Sequence, residues 1–298
     1  VIGRAGIGLD NVDIPAATKH GVAVMNTPGG NVITTAEHAI GMLMVLSRNV
    51  PEGTASLKAG RWDKKKLQGR EIFNKTLGVI GYGKIGSIVA DRARGLKMKV
   101  IAYDPFLGEE KAANMGVEKV ELDELLKRAD FITLHVPLTD DTRNILSREA
   151  LEKTKKGVRI INCARGGLVD EQALADMLKS GHVAGAAFDV FAEEPATENP
   201  LFNLPNVVCT PHLGAATTEA QENVALQVAE QMADYLLKGS VRNAVNVPSV
   251  SDEVLAQVGP YLTLGEMLGC LHMQISQAGV QEADPVAAVR LPQGGGVG

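Results

Sequence analysis

The sequence predicts an α/β protein built on a doubly wound parallel sheet, and three observations carry that expectation. Short apolar runs recur along the chain: LGVIG (77–81), VIAYD (100–104), FITLHV (131–136), VRIINC (158–163), AGAAFDV (184–190) and VVCTP (207–211). Between them lie SIVADRARGL, LDELLKRA and DEQALADMLKSG, whose apolar residues fall at helical spacing. The runs are apolar throughout instead of alternating, which is the mark of strands covered on both faces, as βαβ units produce.

Ahead of these runs, VIGRAG and GVAVMNTPGG read as two further strands around a short helix, NVDIPAATKH. A long apolar helix, TTAEHAIGMLMVLSRNV (34–50), leads from them into the first βα unit. After the last run, TTEAQENVALQVAEQMADYLLKG (217–239) is an amphipathic helix with Gly239 as its C-cap. The pattern loosens beyond NAVNVPSV, which places a boundary near residue 249. The chain opens without Met inside a strand-like stretch and closes on ADPVAAVRLPQGGGVG, so a fragment of a longer protein is expected.

Its 298 residues suffice for two ordinary domains with a sizeable core. A net charge of −5 argues against a general nucleic-acid or membrane surface. Cys163, Cys209 and Cys270 are too few and too scattered for a disulfide framework or a metal site, which points to a reducing cytoplasm. No targeting or spanning segment stands out, because the apolar stretches are strand-length or interrupted by polar residues.

The unusual polar residues fall in one place. Gly81 and Gly83, Asp104, His135 and Pro137, Arg165, Asp189 and His212 each sit at or just past the C-terminal end of a run. In open α/β sheets that edge is where ligands bind. Gly81-x-Gly83-x-x-Gly86 follows a strand and opens a helix, as a Rossmann-type dinucleotide cradle requires. The first glycine permits the turn, the second admits a diphosphate, and the third lets helix and strand pack closely; the helix N-terminus favours the phosphate charge. Asp104, 18 residues after Gly86, ends the next strand and is placed to accept from a ribose diol, which favours NAD over NADP. A mere glycine-rich turn beside a surface Asp is the competing reading, disfavoured by strand, glycines, helix, strand and acid standing in register.

Arg165 follows a buried run in NCARGGLVDE, and its forked guanidinium suits a carboxylate or keto acid. A lone His is more often structural, and acid runs are usually solvated. Next to a nicotinamide and an Arg, however, His212 in TPHLGAATTEA is a natural proton carrier, and an acid of FDVFAEEP (Asp189, Glu193 or Glu194) would orient it.

Taken together, the glycine motif with Asp104, NCARGGLVDE, AFDVFAEEP and TPHLGAAT resemble the D-isomer-specific 2-hydroxyacid dehydrogenases over essentially residues 1 to 275. The finer text (VIGRAGIGLDNVD, AVMNTPGGN, GRWDKKKLQG, KTLGVIGYGKIG and GPYLTLGEMLG) is similar to the branch acting on a phosphorylated hydroxy acid. That resemblance implies NAD-dependent oxidation of 3-phospho-D-glycerate to 3-phosphohydroxypyruvate, the first step of L-serine biosynthesis. It assigns Arg165 to the substrate carboxylate and carbonyl, His212 to acid/base work and Glu194 to pairing with His212. It places cofactor contacts at Lys84, Ile85, Asp104, His135, Val136, Pro137, Cys163, Asp189 and His212 through Gly214 and Ala215. The backbone of Arg4, Ala5 and Gly6 would meet substrate from a second domain, with no metal involved. The run Lys64-Lys65-Lys66, ordinarily a solvated face, would help with the substrate phosphate, in some members across a dimer interface.

The implied organisation is a partial flavodoxin-like substrate (lid) domain from 1–30 and 219–248, a Rossmann NAD-binding domain at 31–218, and at 249–298 the truncated start of an extra domain. The first elements of the lid are expected to precede Val1. A homodimer or tetramer is implied as well. Two alternatives stay open: a dehydrogenase for glycerate, hydroxypyruvate or lactate, and a non-catalytic NAD-sensing protein like the related corepressors.

Overall fold

A computed structural model describes residues 1–9, 11–247 and 252–275; the expected tail at 283–298, and residues 249–251 and 276–298 of the extra domain, lie outside the described residues. The chain begins with β1 (Ile2–Arg4), α1 (Ile14–Lys19) and β2 (Val24–Asn26), a parallel two-stranded sheet pairing Gly3 with Met25. Helix α2 (Val32–Arg48) then crosses to the larger layer. It ends at Asn49, whose left-handed backbone (φ 51°) breaks the helix and starts a second one, α3 (Val50–Lys58), with Pro51 in its first turn. The sequence pattern shows one helix there, because the apolar spacing runs straight through the break. Lys64–Lys66 form an exposed 3₁₀ turn.

The larger sheet follows as β3 (Thr76–Ile80), α4 (Lys84–Gly95), β4 (Lys99–Tyr103), α5 (Glu109–Asn114), β5 (Glu118–Lys119), α6 (Leu122–Arg128) and β6 (Phe131–Leu134). It continues with α7 (Arg148–Glu152), β7 (Val158–Asn162), α8 (Glu171–Ser180), β8 (Val183–Phe188) and β9 (Val207–Cys209). All seven strands are parallel, in the order β5-β4-β3-β6-β7-β8-β9. The chain winds outward from β3 in one direction and from β6 in the other, so β3 and β6 flank the switch point of a Rossmann sheet. The two-residue β5 escapes sequence reading because EK carries no apolar signal.

Side-chain alternation along the strands divides the core in two. Ile80, Ile101, Ile132, Leu134, Ile160 and Phe188 face α6 and α8, while Leu77, Val79, Val100, Phe131 and Ile161 face α2 and α4. Both sets are buried, which is why these strands read as unbroken apolar runs. Each such side chain contributes about 1.5–3 kcal/mol of burial. The helices are punctuated as their termini require. Asp170 and Thr217 accept from the Ala173 and Ala220 amides at the starts of α8 and α9 (Thr218–Lys238), and Gly181 and Gly239 end them in left-handed conformation.

Helix α9 returns the chain to the small sheet, where Met232 and Val228 fill the space beside Gly3. Asn246 completes that layer: its side chain accepts from the Val24 amide (2.8 Å) and donates to the Val22 carbonyl (2.9 Å). A further helix, α10 (Asp252–Ile275), follows. No helix among the described residues is long and apolar enough to cross a membrane.

Candidate active site

The glycine loop sits between β3 and α4 at the switch point. A Cβ on Gly86 would collide with the Gly81 carbonyl, so the helix can lie this close to the turn only without a side chain there. Gly81 itself has φ +93° and rests against the His135 carbonyl, whereas Gly83 faces open space as the N-cap of α4. The first amides of α4 therefore border free volume at the helix's positive end, as an anion requires. Asp104, at the end of β4, does not line the central cleft. Its carboxylate accepts from the Tyr82 amide (2.7 Å) and the Phe106 amide (2.8 Å), fastening the glycine loop to the neighbouring strand.

A cleft of about 570 Å³ opens beside this loop, between the two sheets. Arg4, Ala5 and Gly6 border it from the small layer; Lys84, Ile85, His135, Val136 and Pro137 come from the glycine-loop side. Cys163, Arg165, Asp189, His212, Gly214 and Ala215 close the far side. Thus most of the sequence-selected residues line a single cavity; Gly81, Gly83, Gly86, Asp104, Glu194 and Lys64–Lys66 are not among its lining residues.

Glu194 sits behind His212. Its Oε2 lies 2.7 Å from His212 Nδ1, while Oε1 accepts from the Phe191 amide at 3.0 Å. A carboxylate on Nδ1 places the ring proton there and leaves Nε2 as the nitrogen able to exchange a proton with a ligand. Arg165 is brought near by a close crossing of loops, for a Cβ on Gly166 would strike the Phe191 carbonyl. The Asn162 side chain pins the Arg165 backbone from below, donating to its carbonyl at 2.9 Å.

Asp189 is buried, and its carboxylate accepts from Thr210 Oγ1 (2.5 Å) and the amides of Leu213 (2.7 Å) and Gly214 (2.8 Å). Burial alone would raise its pKa, but hydrogen bonds from His38, Thr210 and Leu213 outweigh it and hold the carboxyl below its ordinary value. Those bonds keep His212 in left-handed backbone (φ 56°), an unfavourable conformation for a residue with a side chain. Burial raises the Cys163 thiol well above its normal range, with the Asp189 charge adding to it, so the thiol stays protonated. Burial pushes His135 down to about 4, so this imidazole is neutral near pH 7; its Nε2 lies 2.9 Å from Thr133 Oγ1.

The cleft also carries unmet polar capacity. Among the described residues, the buried side-chain atoms without a partner are Arg4 Nε, Asn31 Oδ1, His135 Nδ1 and Glu52 Oε2, and the first three belong to cleft residues. A polar ligand fits such a lining, since each group forgoes hydrogen bonding when the cleft is closed against water. Sequence reasoning missed Asn31, Thr35, His38, Asn162 and Thr210. The first three sit on or beside an apolar helix with no motif, and the last two stand inside strand-end text already explained by its neighbours.

Residues 40–214 match the model of the D-isomer specific 2-hydroxyacid dehydrogenase, NAD binding domain. The chain belongs to the D-isomer-specific 2-hydroxyacid dehydrogenases. Within that family it is 50% identical over 276 residues to a D-3-phosphoglycerate dehydrogenase of Synechocystis sp., covering 93% of this chain and 50% of the relative. It is 50% identical over 292 residues to the enzyme of that name from Methanocaldococcus jannaschii, covering 98% and 56%. The chain therefore spans about half the length of the curated relatives it matches. Among solved structures, a glyoxylate reductase from Paecilomyes thermophila superposes with TM-score 0.76 at 37% identity, over 82% of this chain and 75% of that one. A D-lactate dehydrogenase from Aquifex aeolicus, complexed with NAD and lactic acid, superposes with TM-score 0.74 at 31% identity, over 83% and 80%.

Proposed function

We propose that this dehydrogenase oxidises 3-phospho-D-glycerate to 3-phosphohydroxypyruvate with NAD, the first step of serine synthesis. The observation that carries the reading is the His212–Glu194 pair at 2.7 Å, with His212 on the same cleft as Arg165 and as Lys84 and Ile85 of the glycine loop. The similarity to phosphoglycerate dehydrogenases supports the choice of substrate. In this reading residues 31–218 form the cofactor domain, and residues 1–30 with 219–248 form part of the substrate domain.

The glycine loop with Lys84 and Ile85 holds the diphosphate and Asp104 the ribose, while His135–Pro137, Cys163, Asp189 and Gly214–Ala215 enclose the nicotinamide end. Bound NAD supplies the hydride acceptor. The chain's own residues do the rest. Arg165 orients the substrate carboxylate and carbonyl oxygen through paired hydrogen bonds, and the Arg4–Gly6 backbone meets the substrate from the opposite wall. His212 Nε2 takes the hydroxyl proton during oxidation and returns it to the keto oxygen during reduction. Glu194 holds the ring in place and stabilises its positive charge once the proton has arrived. Exposed Leu57, Trp62 and Phe73 support a homodimer or larger homo-oligomer, and the scattered cysteines support a cytoplasmic setting.

The test is NADH oxidation with phosphohydroxypyruvate beside hydroxypyruvate and pyruvate, with NADH binding titrated in the same samples. The expected result is fastest turnover of the phosphorylated acid, and for His212→Gln a fall in kcat of about 10²–10⁴-fold with NADH affinity retained. A preference for another acid reassigns the substrate. Tight NADH binding with no turnover of any acid leaves the cofactor site standing and assigns the loss to an incomplete substrate domain or to a sensor.

A further inference from the structure

We propose that His38 is a positioning residue for the His212 loop, acting through Asp189 and Thr210. This rests on the reading of His212 as the proton carrier. His38 lies on α2, one helical turn beyond Thr35, a cleft residue, and its side chain is 21% exposed, so it is anchored without being sealed. Its Nε2 stands 3.2 Å from both Thr210 Oγ1 and Asp189 Oδ1.

Proton counting assigns the roles. The Asp189 carboxylate is ionised and brings no proton. The Thr210 hydroxyl has one, and its 2.5 Å contact with Asp189 Oδ1 uses it. Both atoms therefore present lone pairs to His38, and Nε2 must carry a hydrogen. The alternative, Thr210 donating to a bare Nε2, would strip Asp189 of its shortest bond and set the imidazole lone pair against a carboxylate. His38 is thus the donor that holds Thr210 and Asp189 in the rotamers from which Asp189 grips the Leu213 and Gly214 amides. Those amides follow His212, whose backbone is left-handed (φ 56°). The result is a relay of position: α2, His38, Asp189 with Thr210, the 213–214 amides, and the ring of His212.

The experiment compares His38→Leu, which keeps bulk and removes the donor, with His38→Gln, whose amide nitrogen can occupy the place of Nε2. In the full chain without ligand, ¹H–¹⁵N spectra report the Leu213 and Gly214 amides directly, with no reliance on turnover. His38→Leu is expected to move both resonances upfield and broaden them, and His38→Gln to restore them. With phosphohydroxypyruvate and NADH, His38→Leu is expected to lower kcat about tenfold while KM for the keto acid and Kd for NADH stay within twofold; His38→Gln recovers most of the loss. Unchanged amide resonances in His38→Leu, or equal losses in the Leu and Gln variants, overturn the proposal. Amide shifts as expected in a chain that turns over none of the keto acids would uphold His38 as the anchor of the loop and count against the dehydrogenase reading instead.

Discussion

Two loops at the same edge of the same sheet are held in demanding conformations by a different balance of means. The glycine loop after β3 is held chiefly by close backbone packing, with the Asp104 carboxylate taking only its Tyr82 amide: Gly86 lies against the Gly81 carbonyl, and Gly81 against that of His135. The histidine loop after β9 is locked by a side chain. Asp189 reaches across from the end of β8 to collect the amides of Leu213 and Gly214, and Thr210 and His38 hold Asp189 in turn. A backbone lock suits a loop that must present bare amides to phosphate groups. A side-chain lock suits one that must aim a particular imidazole. It lets a residue with a Cβ occupy left-handed space that glycine would otherwise take.

The two locks differ most at Gly86. A valine there has nowhere to put its side chain, and relief requires α4 to lift off β3. Gly86→Val is expected to cost about 3 kcal/mol or more in urea unfolding, by the overpacking seen when atoms are forced into close-packed sites. NADH affinity should fall at least a hundredfold by fluorescence titration, with His212 and Glu194 untouched. Retained NADH binding would show that close packing is not what fits this loop to its ligand.

The histidine loop responds differently, because its weak point is charge. Glu194→Gln keeps the volume and an acceptor for the Phe191 amide but replaces the carboxylate facing His212 Nδ1 with a neutral amide. A charge-assisted bond is roughly twice as strong as a neutral one. We expect kcat to fall about 10- to 100-fold, with KM for the keto acid changed by less than about threefold and urea unfolding nearly unaltered. A loss confined to KM would place Glu194 in substrate binding instead.

The same contrast explains what was legible in the sequence. A backbone lock demands glycine at fixed spacing, so Gly81, Gly83 and Gly86 announce themselves, and the strands announce themselves because both faces are buried. Arg165 and His212 stand out because each lies just past a strand end beside its own motif, and Glu194 only through the family resemblance of AFDVFAEEP. Asp189 reads as a cofactor residue, and that its carboxylate also gathers Thr210 and the Leu213 and Gly214 amides is something no spacing rule reveals. His38 lies 151 positions before Asp189 in the middle of an apolar helical pattern and meets it only through the fold. The break at Asn49 was hidden for a related reason: a single left-handed residue leaves the apolar periodicity on either side intact.

His135 joins the two loops, its carbonyl beneath Gly81 and its ring on the cleft, and it yields the smallest and most specific test. Burial holds its folded pKa at about 4, against roughly 6.5 for an unfolded histidine. Between those values the unfolded chain binds the extra proton and the folded chain does not, so stability rises with pH across that window and is lost as pH falls from 6.5 toward 4. His135→Gln keeps an amide within reach of Thr133 and cannot titrate. Urea unfolding at pH 7 and pH 5 should therefore show wild type losing about 1–2 kcal/mol more than the variant over that interval. Equal losses would mean the imidazole ionises freely in place. The ring would then be wet, and Nδ1 could not serve as one of the unmet polar groups that make the cleft receptive to a ligand.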